Sequence, residues 1–232
     1  MSAFGAVLFD WVGTLVVPKW GPVKSGPSGT WWISHALRGL GRDGSAVAVQ
    51  HISTALSEAG RRPEVIEGWR GADASAATYR TAYLRWVGAA GLDPALADAL
   101  YEGLADPATA RFASDVAPTL AALRSAGLKV AVISDIHFDI RPAFAEAGLD
   151  AYIDEFVLSY EVGVCKPERA IFRAALTSLG LQPHQALMVG DRSAYDGAAI
   201  EVGIPTLLVP VLTDPTEERL HLVLKTCGLS AG

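Results

Sequence analysis

Apolar positions in this chain follow two different rhythms. Ala6-Val7-Leu8-Phe9 is unbroken and stops at Asp10, with Gly13-Thr14 close behind. A run of this kind needs cover on both faces, whereas a carboxylate needs water, a donor or a cation, so a buried strand is predicted with Asp10 at its carboxyl end. The same texture recurs later: Lys129–Ile133 stops at Ser134-Asp135, Ala186–Val189 stops at Gly190-Asp191, and Glu155–Leu158 and Pro205–Val209 supply two more strands. Helical periodicity fills the gaps between them, over Ala117–Ala126 (capped by Ser114 or Asp115), Arg141–Ala147, Glu168–Leu179 and Ala194–Val202. A terminal helix is predicted from Thr213 or Asp214 with Pro215 to near Gly228.

The second rhythm lies between these strands. Breakers crowd Val17–Gly29 and read as a linker, and from Thr30 to about Arg111 no convincing strand is found. Helices are predicted instead over Thr30–Leu40, Ser45–Ala59, Ala74–Ala90 and Pro94–Leu104. Trp31, Trp32, Trp69, Tyr79, Tyr83 and Trp86 concentrate there, either holding a helical bundle together or offering a ring to a substrate. Strands separated by single helices imply a parallel, doubly wound α/β sheet covered on both faces. The expected division is residues 1–17 with 112–232 as that core, and 18–111 as a helical insert.

Composition narrows the partners. The 232 residues are 50% hydrophobic, enough for a sizeable core, and the net charge is -6 without a run of Lys or Arg. Nucleic-acid backbones and anionic membranes are therefore excluded as main partners. Cys165 and Cys227 are too few for a disulfide framework, lack metal-type spacing and suit a reducing compartment. With no signal-peptide start and no apolar stretch near 18 residues, a cytoplasmic chain is expected.

Parallel strands share one carboxyl edge, so Asp10, Ser134 and Asp191 are expected to meet there, where open α/β sheets bind ligands. Two acids in one pocket repel unless a cation or proton lies between them, and Asp10 with Asp191 suits Mg²⁺. Ser134 offers a hydroxyl donor and Lys166, in a loop feeding a helix, a point charge for a phosphate oxygen or the nucleophile.

These residues, in this order, resemble the haloacid dehalogenase-like hydrolase superfamily. Its first motif corresponds to Asp10–Leu15, its second to Ser134, its third to Lys166-Pro167, and its fourth to Gly190-Asp191 with Asp196. The resemblance implies a Rossmann-like core with an inserted helical cap that selects the substrate, a small phosphorylated metabolite. It implies Asp10 as nucleophile, with Asp191 and the Val12 backbone carbonyl joining Asp10 as ligands of Mg²⁺. Ser134 and Lys166 would hold phosphate, with Trp11 beside the substrate and Asp196 in support.

The departure is Val12, where phosphatases of this family usually carry the aspartate that moves a proton to the leaving group. A positioned acid-base is worth roughly 10²–10⁴ in rate. Asp135, His137 and, from the insert, His35 are the candidate substitutes. An acyl phosphate would need little protonation. A phosphonatase-like reading wants an insert lysine, for which there are only Lys19 and Lys24, and a dehalogenase-like one wants no acid at Asp191. A metabolite-binding or regulatory protein on the same scaffold is the alternative from another class. Arg38, Arg42, Arg61 and Arg62 either face an anionic substrate or sit at solvated helix ends.

Overall fold

The computed structural model describes residues 2–18, 30–105 and 110–229. Strands β1 (Ala6–Phe9), β4 (Lys129–Ser134), β5 (Glu155–Leu158), β6 (Ala186–Gly190) and β7 (Thr206–Leu208) form a parallel sheet in the order β5-β4-β1-β6-β7. Strand β1 thus lies at the centre, with Phe9 level with Val132 on one side and Val189 on the other.

Alternation explains the unbroken apolar runs. Val7, Phe9, Val130, Val132, Leu187 and Val189 point to one face, which is covered by α6 (Val116–Ser125), α7 (Arg141–Glu146) and α10 (His221–Thr226) through residues such as Leu120, Phe144 and Val223. Ala6, Leu8, Ala131, Ile133 and Met188 point to the other, against α9 (Arg169–Leu179) and the 3₁₀ turn Asp196–Val202. A single turn, α8 (Ser159–Val162), follows β5.

Helices α1 (Trp31–Gly39), α2 (Ala46–Ala59), α3 (Pro63–Gly68), α4 (Ala76–Ala89) and α5 (Pro94–Leu104) pack around a core of their own. Trp32, Trp69, Tyr79, Tyr83 and Trp86 belong to it, so five of the six aromatics expected there hold the bundle, while Trp31 stacks on His35. Ser45, Ser75 and Asp93 cap α2, α4 and α5 as their sequence positions suggest.

Three expectations fail locally. Val16–Pro18 (β2) pairs antiparallel with Ala110–Phe112 (β3), a short ribbon where the chain leaves and rejoins the sheet. Three-residue strands carry too little periodicity to be read. Helix α3, only six residues with Pro63 first, was too short for the same reason. The terminal helix does not start at Pro215: the Asp214 carboxylate accepts from the Thr216 amide in a turn, and helix begins only after Leu220. Most of the predicted linker, including Lys19 and Lys24, lies outside the described residues.

Candidate active site

The central strand delivers Asp10 to the sheet's carboxyl edge. Its amide still donates to Val189 O at 2.9 Å, so the ladder continues one residue past β1 while the side chain enters the space beyond. Asp10 is buried, as are Ser134, the last residue of the adjacent β4, and Lys166; Asp191 follows directly on β6. Neighbouring strands therefore bring together three of the expected residues, as parallel pairing requires.

Lys166 supplies the positive charge. Its Nζ lies 2.5 Å from Asp10 Oδ1 and 2.6 Å from Asp196 Oδ1, and its amide donates to Asp135 Oδ1 at 2.8 Å. Asp196 is fully buried, and its other oxygen accepts from the Arg192 amide at 2.9 Å. A side chain at Gly190 would overlap the Asp196 carboxylate, so this approach needs glycine. The Thr14 hydroxyl lies 3.2 Å from Asp10 Oδ2 and 3.3 Å from Asp191 Oδ1, sharing its proton between the two acids.

One carboxylate oxygen from each of Asp10, Asp191 and Asp196 falls within 4.8 Å of the others. Three acids face a single ammonium at a largely buried site, and the energetics follow from that imbalance. Burial raises Asp10 above the usual carboxylate range, with Lys166 pulling it back down. Burial, then Asp10, pushes Asp191 up to about 6. Burial by itself would lower Lys166, yet Asp10 and Asp196 outweigh it and raise the ammonium further above its ordinary value. The donor set fits a hard divalent cation. Asp10 and Asp196 each have both oxygens engaged, Asp10 by Lys166 and Thr14 and Asp196 by Lys166 and the Arg192 amide, and among the described residues no hydrogen bond engages the Val12 carbonyl.

One expectation needs correction. Trp11, expected at the substrate, is 2% exposed and turns into the core, with Phe112 and Phe144 at ring distances of 5.3 and 5.0 Å. A strand-end residue next to an acid alternates to the opposite face, and here that face is the packed one. Of the two readings of Arg38, Arg42, Arg61 and Arg62 the solvated one holds: all four are exposed, none lines the cleft that meets the site at Lys166, and Arg42 pairs with Asp93 on the surface. That cleft, of about 480 Å³, is lined by Arg70 and Asp73 from the helical segment and by Asp135, Lys166 and Arg192 from the sheet edge. Cys165 also lines it, but burial pushes its thiol up to about 11, leaving it protonated at neutral pH.

The two candidate proton carriers after Ser134 part company. His137 is buried, stacked on Tyr79 at 3.3 Å with rings 5° from parallel, whereas Asp135 faces the cleft. Val12 is 42% exposed.

Arg219 was missed. Buried beneath the Asp10 loop, it donates to Thr14 O at 2.6 Å and Gly13 O at 3.3 Å, and thereby fixes the loop that carries Val12. Its amide and that of Leu220 bond the buried Asp115 carboxylate. A lone arginine two hundred residues downstream gives no local signal, whereas Thr14 was legible as part of Gly13-Thr14.

The sequence matches the haloacid dehalogenase-like hydrolase family over residues 4–203. The chain belongs to that family. Among curated relatives of this hydrolase, haloacid dehalogenase-like hydrolase domain-containing protein 3 of Mus musculus is 34% identical over 115 residues, covering 49% of this chain and 46% of the relative. The glyceraldehyde 3-phosphate phosphatase of Methanopyrus kandleri is 40% identical over 83 residues, covering 35% and 36%. The hydrolase thus spans less than half the length of these relatives. A phosphatase structure from Thermococcus onnurineus superposes with a TM-score of 0.64 at 22% identity, covering 99% of this chain and 100% of that one. The L-2-haloacid dehalogenase of Xanthobacter autotrophicus gives 0.60 at 24% identity, covering 89% and 77%. At such identities the likeness establishes a shared fold. Among its described residues no helix is long and apolar enough to cross a membrane.

Proposed function

We propose that this hydrolase removes phosphate from a small phosphorylated metabolite with the help of Mg²⁺, through an aspartyl-phosphate on Asp10. The observation that carries this reading is Asp10 itself: a buried carboxylate, gripped at one oxygen by Lys166 and standing within 4.8 Å of Asp191 and Asp196. The named activities of relatives, among them phosphatases of glyceraldehyde 3-phosphate and phosphoserine, support the substrate class.

In this reading Ser134 and the Lys166 ammonium bind the phosphoryl group, and Lys166 holds Asp10 in line with phosphorus. Asp10 attacks, the ester oxygen departs, and water then cleaves the acyl phosphate to restore the carboxylate. Asp10, Asp191 and the Val12 carbonyl would hold Mg²⁺, which when bound offsets the charge on the transferring phosphoryl oxygens. Asp196 keeps Lys166 in place. The segment over residues 18–111 acts as the cap, its Arg70 and Asp73 overhanging the cleft where substrate identity is read.

Val12 favours a second reading, a binding or regulatory protein in which turnover has been lost. Phosphate release from a panel of alkyl, aryl and acyl phosphates, with Mg²⁺ and with EDTA, separates the two. Turnover that needs Mg²⁺ and disappears in Asp10→Asn is expected. Metabolite binding without turnover in any arm would establish the second reading instead.

A further inference from the structure

Val12 leaves the proposed reaction without its usual proton carrier, and the sheet supplies another. Strand β4 pairs with β1, Phe9 opposite Val132, and Asp135 follows its last residue, Ser134, at the same carboxyl edge at which Asp10 follows Phe9. Asp135 directly follows Ser134 and lines the cleft. Its Oδ1 is anchored by the amide of Lys166, the same residue whose ammonium touches Asp10. Among the described residues no hydrogen bond engages its Oδ2, which leaves that oxygen available to a ligand. His137, the competing candidate, is enclosed by Tyr79, Tyr101 and Phe138, with Asp73 Oδ1 3.8 Å from its Nδ1. It faces rings rather than the cleft.

We propose that Asp135 is the general acid-base of this hydrolase. The proposal rests on the phosphohydrolase reading of Asp10. As Asp10 forms its bond to phosphorus and the ester P–O bond breaks, the Asp135 carboxylic acid gives its proton to the departing alkoxide, which leaves as the alcohol. Water then attacks the phosphorus of the aspartyl-phosphate, and the Asp135 carboxylate takes a proton from it. Asp10 is freed, phosphate leaves, and Asp135 is again the acid; the net reaction is ester plus water to alcohol plus phosphate. Charge around the carboxyl suits this cycle. Burial holds it at about 6, with Lys166 lowering it and Asp73 and Asp10 raising it, and Cys165 beside it is a neutral thiol at that pH. A carboxyl that ionises near there supplies both protonation states close to neutrality.

The test is Asp135→Asn, which keeps the oxygen that accepts the Lys166 amide but cannot carry a proton. Two probes are used: p-nitrophenyl phosphate, whose leaving group needs no proton, and the alkyl phosphate turned over fastest in the panel. For the alkyl ester kcat/KM is expected to fall by about 10²–10⁴. For the aryl ester kcat/KM should hold within about tenfold, with a burst of one nitrophenolate per enzyme before slow turnover, because dephosphorylation has lost its base. The wild type's decline in alkyl-ester kcat/KM above pH 6 should be absent in the variant, and Val12→Asp added to Asp135→Asn should recover alkyl-ester turnover. Equal losses for both esters, or alkyl-ester turnover within threefold of wild type, would overturn the assignment. If Asp10→Asn is inactive while Asp135→Asn is unaffected, only the proton-carrier role falls; if Asp10→Asn is as active as wild type, the phosphohydrolase reading falls with it.

Discussion

Lys166→Met isolates the electrostatic balance on which the site depends. In the wild type one ammonium lies 2.5 Å from Asp10 and 2.6 Å from Asp196, all three being nearly or fully buried. Methionine fills similar volume, so the loss is chiefly that of charge: two buried carboxylates remain without a counter-ion. Breaking a buried pair this way costs about 3–5 kcal/mol. For a chain of this size that corresponds to a fall in Tm of about 6–20 °C. The sign with pH is fixed by the carboxyls. Burial already raises Asp10, and without Lys166 it rises further. A group that binds protons more tightly folded than unfolded loses native stability as pH climbs through its folded pKa. The gap between wild type and variant should therefore be small at pH 5 and full at pH 8. Thermal unfolding is to be followed in EDTA at both pH values. Adding Asp196→Asn to Lys166→Met removes one stranded charge while keeping an acceptor for the Arg192 amide, and should recover a substantial part of the loss. A single variant within about 1 kcal/mol of wild type at pH 8, well under the cost of a stranded buried charge, would refute the reasoning. So would a loss independent of pH.

Asp191, held at about 6, must shed its proton to bind a divalent cation, so Mg²⁺ affinity should rise about tenfold per pH unit below 6 and level off above it. Calorimetry in buffers of different ionisation enthalpy would show protons released at pH 5.5 but few at pH 7.5, and equal release at both would contradict it. Gly13 has φ +89°, and a Cβ there would sit 2.6 Å from Asp191 Oδ2. Gly13→Ala should cost about 1–2 kcal/mol for its backbone alone and also weaken Mg²⁺ binding. Gly41→Ala, at φ +67° with open space around it, should carry the backbone cost and leave Mg²⁺ affinity unchanged. Trp11→Ala should lower stability by about 3–5 kcal/mol, while Trp11→Phe keeps KM near the wild-type value, since the ring packs on Phe112 and Phe144 rather than on a ligand.

Much of the fold was legible because local rules sufficed. Unbroken apolar runs ending in Asp10, Ser134 and Asp191 described strands buried on both faces, and chain direction put those ends at one edge. The helices expected over Ser45–Ala59, Ala74–Ala90 and Pro94–Leu104 fall within two residues of α2, α4 and α5. Short elements escaped: the β2–β3 ribbon and α3 contain too few residues for a period to emerge, and Asp214 bonded its own turn where a helix was expected.

The sequence by itself determined which residue types reach the sheet edge, because strand period and strand direction are properties of the local chain. What those residues do to one another was decided by tertiary structure. That Lys166 would clamp Asp10 and Asp196, that Trp11 would turn inward, that Asp135 would face the cleft while His137 stacks on Tyr79, and that Arg219 would hold the Asp10 loop from two hundred residues away all depend on distances between remote segments. Burial, which moves Asp191 and Asp135 to about 6, comes into being only when those segments pack and water leaves.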